Sequence, residues 1–134
     1  MCASINEDYP HILRCEHAAR TTWRDNFLTG LRDFFIESNT SPLLSSLMMD
    51  GVRQWFRSTL DIRLSPEKYH PSLRHIIIQQ NNIGWTQLFL GRFSVAWSQH
   101  QSRYNETQNG AYDRDRPCTA AWQANLIQFV WARR

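Results

Sequence analysis

Lysine is almost missing from this chain. One Lys68 stands beside fourteen arginines, so its basic chemistry is guanidinium chemistry, suited to forked pairing with phosphate or carboxylate. Cysteine is scarce as well. Cys2, Cys15 and Cys118 are too few and too widely spaced for the disulfide framework of a small secreted domain, which favours a reducing, intracellular compartment. No stretch approaches the run of about 18 apolar residues that spans a bilayer; Ile76–Ile77–Ile78 falls far short. Glu7 and Asp8 stand where a secretory leader carries basic residues, so no signal peptide is expected. Also missing are a Walker A loop, a dinucleotide fingerprint, a His-Glu-x-x-His pair and an EF-hand loop. None of His11, His17, His70, His75 and His100 sits in a nucleophile signature. These absences point to a noncatalytic protein.

Aromatic residues are plentiful. Six Trp, seven Phe and four Tyr in 134 residues can supply a large core for one domain. The net charge of +3 is unevenly spread. Residues 1–69 carry eight basic and nine acidic groups, whereas residues 70–134 carry seven basic and three acidic ones. A basic face in the second half would suit a nucleic-acid backbone, although a solvated helix surface has the same composition.

Apolar positions recur at helical spacing along most of the chain. Ala18, Ala19, Trp23, Phe27, Leu31 and Phe34 predict a helix over 15–37, ended by the polar Ser38–Asn39–Thr40. Ser41–Pro42 reads as a helix start, with the serine hydroxyl capping a free amide and the proline at the first turn. Leu43, Leu44, Leu47, Met48, Val52, Trp55 and Phe56 carry that helix to about Arg57, with Gly51 inside it as a place for a kink or a tight crossing. Residues 58–71 read as a connection with a short helical turn at Ser65–Pro66–Glu67, followed by a short helix over 72–80; the alternative, a strand at Ile76–Ile78, would leave both of its edges unpaired. Trp85, Phe89, Phe93 and Trp97 recur every four residues and predict one long helix from Ile83 to about Tyr104. A polar linker over 105–116 precedes a last helix opened by Thr119 and bearing Trp122, Leu126, Ile127, Phe129, Val130 and Trp131. The expected fold is all-α, an irregular bundle of four to five helices around a single core.

Candidate chemistry is sparse. Cys2, His11 and Cys15 have the thiolate and imidazole groups that tetrahedral zinc favours, and His11 and Cys15 would lie on adjacent turns of a helix. A structural site needs four ligands, the fourth coming from His17, Cys118 or outside the chain, and an ordinary set of unliganded Cys and His side chains is the competing expectation. Asp113 and Asp115 are interleaved with Arg114 and Arg116, which predicts a salt-bridged loop in preference to a cation site. His70 and His75 titrate near neutrality but have no nucleophile or orienting carboxylate close in sequence.

An ordered series of motifs adds to this: Cys2, Glu7, "HILRC" at His11–Cys15, "ARTTW" at Ala19–Trp23, "TSPLL" at Thr40–Leu44, "QNNIGWTQLFLGRFSVAW" at Gln80–Trp97, Trp122, and "WARR" at Trp131–Arg134. In this the chain resembles a family of uncharacterised domains in reading frames associated with reverse transcriptases, in retroelements of diatoms and other protists. The Ile83–Trp97 match is the most specific. The resemblance implies a partial zinc-knuckle-like segment over 1–14, keeping Cys2, His11 and Cys15 of four ligands, and a helical domain over 15–134. It also implies truncation at both ends, since the first cysteine of the family's pair would precede Met1 and the chain stops inside the last helix motif. The implied role is a noncatalytic accessory module with weak, non-specific association to RNA or DNA. Arg74, Arg92, Arg103, Arg114 and Arg116 are the candidate phosphate contacts. Two other expectations compete: a scaffold whose exposed aromatic faces receive a protein partner, and a gene fragment without selected activity.

Overall fold

A computed structural model describes the backbone over residues 18–109 and 119–133, and side chains over 21–107 and 122–132. The described residues contain helices and turns and no strand. Helix α1 spans Ala18–Glu37 and buries Phe27, Leu31 and Phe35, one residue per turn, with Trp23, Leu28 and Phe34 packed beside them. Its end is set by Asn39, the one described non-glycine residue at positive φ (52°). That left-handed step lets Asn39 N–H donate to Ile36 O at 3.2 Å and Thr40 N–H to Phe35 O at 2.9 Å, satisfying carbonyls that the helix would otherwise leave open.

Helix α2, Pro42–Arg57, starts where the Ser-Pro pair predicts, but the serine does not cap it. The Ser41 hydroxyl lies 3.2 Å from His100 Nε2, and the Ser41 amide donates to Gln101 Oε1 at 2.9 Å. Gln101 Nε2 also donates to Asn39 O at 3.2 Å, and Trp122 Nε1 donates to Thr40 Oγ1 at 2.8 Å. The α1–α2 turn is thus fastened by two later helices. Residues 58–65 cross the surface without helix, anchored by Asn81, whose carboxamide pairs with both the N–H (3.0 Å) and C=O (2.9 Å) of buried Leu64. Two 3-10 turns, Pro66–Lys68 and Pro71–Leu73, lead into α3, Arg74–Ile83. There Ile76 and Ile77 are buried while Ile78 is half-exposed, the rotation of about 100° per residue that helix and not strand gives.

The long helix predicted over 83–104 is broken. A four-residue helix α4, Trp85–Leu88, is followed by a turn and then by α5, Val95–Asn109. Gly84 (φ 107°) and Gly91 (φ 82°) occupy backbone conformations that helices exclude. Gln80 replaces the missing ladder. Its Oε1 accepts from Ser94 N and Trp97 Nε1, each at 3.0 Å, and its Nε2 donates to Gly84 O at 3.2 Å and Arg92 O at 3.3 Å. Ser94 then caps α5, accepting from Ala96 N at 3.0 Å. Helix α5 also outlasts its predicted end, continuing through the first residues of the expected linker to Asn109. The last helix, α6, is Thr119–Arg133.

Helix α1 packs on α2 and α6, α5 on α3 and α6, and α2 on α4 and α5. Trp85, Phe89, Phe93 and Trp97 are all buried in the shared core, though not as one stripe. Breaking the helix lets them face different neighbours: Phe89 meets Trp55 at 4.4 Å between ring centroids, and Trp85 meets Trp97 edge-on at 6.0 Å. Among the described residues no helix is long and apolar enough to cross a membrane.

Candidate functional site

Every buried side-chain nitrogen and oxygen among the described residues has a hydrogen-bond partner. The described interior therefore offers no orphaned polar atom to mark a site, and the candidate cations lie on the surface. Arg74 opens α3, Arg92 lies on the turn after Gly91, and Arg103 sits on the outer side of α5; all three are exposed. Arg92 Nη1 donates to the neutral Gln87 Oε1 at 2.6 Å, and none of the three pairs with a described carboxylate. They occupy separate elements. Arg103 and His70 both act on His100, a buried imidazole whose pKa is lowered first by burial, then by those two groups, with a hydrogen bond to the Ser72 backbone opposing. Arg114 and Arg116, with Asp113 and Asp115, lie outside the described residues.

The histidines weighed for acid–base chemistry have local roles. His70 Nδ1 accepts the Ser72 amide at 3.1 Å and so caps the second 3-10 turn; His75 Nε2 lies 2.8 Å from Gln79 Nε2. Neither contacts a described carboxylate, so the geometry brings no acid–base pair together at these positions.

The zinc expectation is corrected. Among the described residues no group of three or more His, Cys, Asp and Glu side chains is arranged to hold a metal ion. The ligands named for it, Cys2, His11 and Cys15, lie outside the described residues, as do His17 and Cys118. A ligand set of three was already one short of a closed structural site.

A groove of about 720 Å³ that no sequence motif singled out lies between α1 and α2, closed by Tyr69 and Tyr104. Helix α1 contributes Arg32, Phe35, Ile36 and Asn39, and α2 contributes a stripe from Pro42 to Arg53. Both sets follow the three- and four-residue steps of a single helix face. Phe35 and Met49 are buried, whereas Ile36 is 66% exposed. Tyr69 Oη donates to Asp50 Oδ2 at 2.5 Å. Burial, that bond and the carboxylate charge push the Tyr69 pKa up to about 12, against a smaller opposing effect of Gln54. The phenol stays a neutral donor and Asp50 keeps its proton partner. The signal that could have found the groove is a second helical stripe, Arg32–Phe35–Ile36–Asn39, beside the core stripe of α1. Its mixed polarity makes it look like solvated surface.

No protein-family model, curated protein or solved structure matches the chain.

Proposed function

We propose that the chain is a noncatalytic helical accessory module of retroelement origin that attaches weakly, and without sequence preference, to nucleic-acid backbone. The origin rests on the ordered motifs from His11–Cys15 to Trp131–Arg134. The attachment rests on one observation: Arg74, Arg92 and Arg103 are exposed and unneutralised by any described carboxylate. Guanidinium groups left in this state are available to phosphate oxygens, and contacts of that kind position a protein without reading bases.

Titrating labelled single- and double-stranded oligonucleotides of unrelated sequence, at rising salt, tests this. Binding through three arginines gives a log–log salt slope of about −2.7 on duplex, and all five candidates would give about −4.5. Raising salt fourfold then weakens duplex binding by ~40-fold at the smaller slope. Equal affinity at low and moderate salt overturns the proposal.

The competing scaffold reading draws little support from the aromatic surface. Ten of the thirteen Trp and Phe side chains are buried, and of the rest Trp131 alone is exposed, at 49%.

A further inference from the structure

The α1–α2 groove uses none of Arg74, Arg92 and Arg103, and its chemistry is different. Phe35, Met49 and the exposed Ile36 give it an apolar part, interspersed with hydroxyl and amide side chains. Its ionic groups are the guanidinium groups of Arg32 and Arg53 and the carboxylate of Asp50, a lining charge of one net positive unit. On α1 the positions three and four residues from Arg32 are Leu28, Thr29, Phe35 and Ile36, so no carboxylate is placed to pair with it along the helix. On α2 the corresponding partner for Arg53 is Asp50, three residues earlier. Tyr69 intercepts it. The Tyr69 hydroxyl occupies Asp50 Oδ2, and no ion pair joins Asp50 to Arg53. Both arginines consequently face the groove without a described partner.

We propose that this groove binds a small amphiphilic anion, with its acid group on Arg32 and Arg53 and its apolar body on Phe35, Ile36 and Met49. The volume falls within the range of about 300–1,000 Å³ typical of small-molecule sites, and two guanidinium groups without a described partner, in one groove with apolar side chains, match a phosphate or carboxylate carried on a ring or short chain. Tyr69 is a positioning residue: by engaging Asp50 it keeps Arg53 available.

The test uses the full chain and nuclear magnetic resonance titration with phenyl phosphate and with octanoate. Inorganic phosphate supplies the acid group alone and octanol the apolar body alone. At least one of the two amphiphilic anions binds saturably at millimolar concentration, shifting signals of α1 and α2, and binds more tightly than either single-feature probe; which one binds separates phosphate from carboxylate ligands. Arg53→Gln and Arg32→Gln, both at exposed positions, each weaken that binding about tenfold. Tyr69→Phe weakens it too, because Asp50 is released towards Arg53, and Arg92→Gln leaves it unchanged. The proposal is overturned if neither anion saturates, if inorganic phosphate or octanol binds equally well, or if both arginine variants bind like the parent. Unchanged binding in a folded Tyr69→Phe chain overturns the positioning role.

Discussion

Gln80 has two acceptor and two donor positions on its carboxamide, and the fold uses all four. Replacing it with leucine keeps the volume close but strands the Ser94 and Trp97 N–H groups in the interior, while Gly84 O keeps the Gln87 N–H and Arg92 O lies only part-buried. At about 1–3 kcal/mol for each unsatisfied buried group, partly relieved by local relaxation, Gln80→Leu is expected to cost at least ~2 kcal/mol, read from urea denaturation. A loss below ~1 kcal/mol would show that the carboxamide does not hold this stretch. Such a role was not visible in the sequence, because a polar side chain in "IIIQQNNIG" looks like the wet face of a helix. His100 makes a pH prediction at the same scale. Its folded pKa lies below the ordinary 6.5, so the unfolded chain takes up the proton first. Stability from this group is therefore complete above about pH 6.5 and falls as pH drops from there through the lowered folded value. In His100→Gln this part of the pH dependence should vanish; an unchanged acid limb in denaturation midpoints would place its origin elsewhere.

The elements divide into those that local sequence dictates and those that tertiary contacts impose. Helices α1, α2 and α6 follow their apolar stripes, and the α1 stop and α2 start fall at the Asn and Pro that local chemistry assigns to them. The break between Gly84 and Ser94 was illegible for a physical reason. Rings recurring every four residues satisfy a continuous helix and a folded-back segment equally well, and only Gln80 and the positive-φ glycines distinguish the two. Gly51 shows the opposite case, where a glycine read as a kink or a tight crossing proves to be the crossing. A Cβ there would lie 2.8 Å from Trp85 Cη2 and nearer still to Cζ3. Gly51→Ala gains about 1 kcal/mol of helix propensity but overpacks the α2–α4 contact, which typically costs 1–3 kcal/mol. The expected outcome is a lower Tm with weakened near-ultraviolet tryptophan dichroism. A higher Tm would mean that Trp85 moves aside freely.

At the scale of the whole molecule, the helical spacing of the apolar residues foretold an all-α body and the many aromatics foretold its core, and that is what forms around Trp55, Phe89 and Phe27. The candidate site was less legible. A list of arginines in the basic half identifies exposed cations, but it cannot say which of them share a surface or lack a carboxylate. The groove between α1 and α2 depends on Tyr69 and Tyr104, which reach it from distant parts of the chain. In the proposed function the exposed arginines would carry any contact with nucleic-acid backbone. The most direct test compares duplex-binding salt slopes of the parent and of a chain combining Arg74→Gln, Arg92→Gln and Arg103→Gln, with circular dichroism confirming the same helix content. Loss of three phosphate contacts should flatten the slope by about 2.7 and weaken low-salt binding. A variant that binds with the parent's affinity and slope would contradict the account.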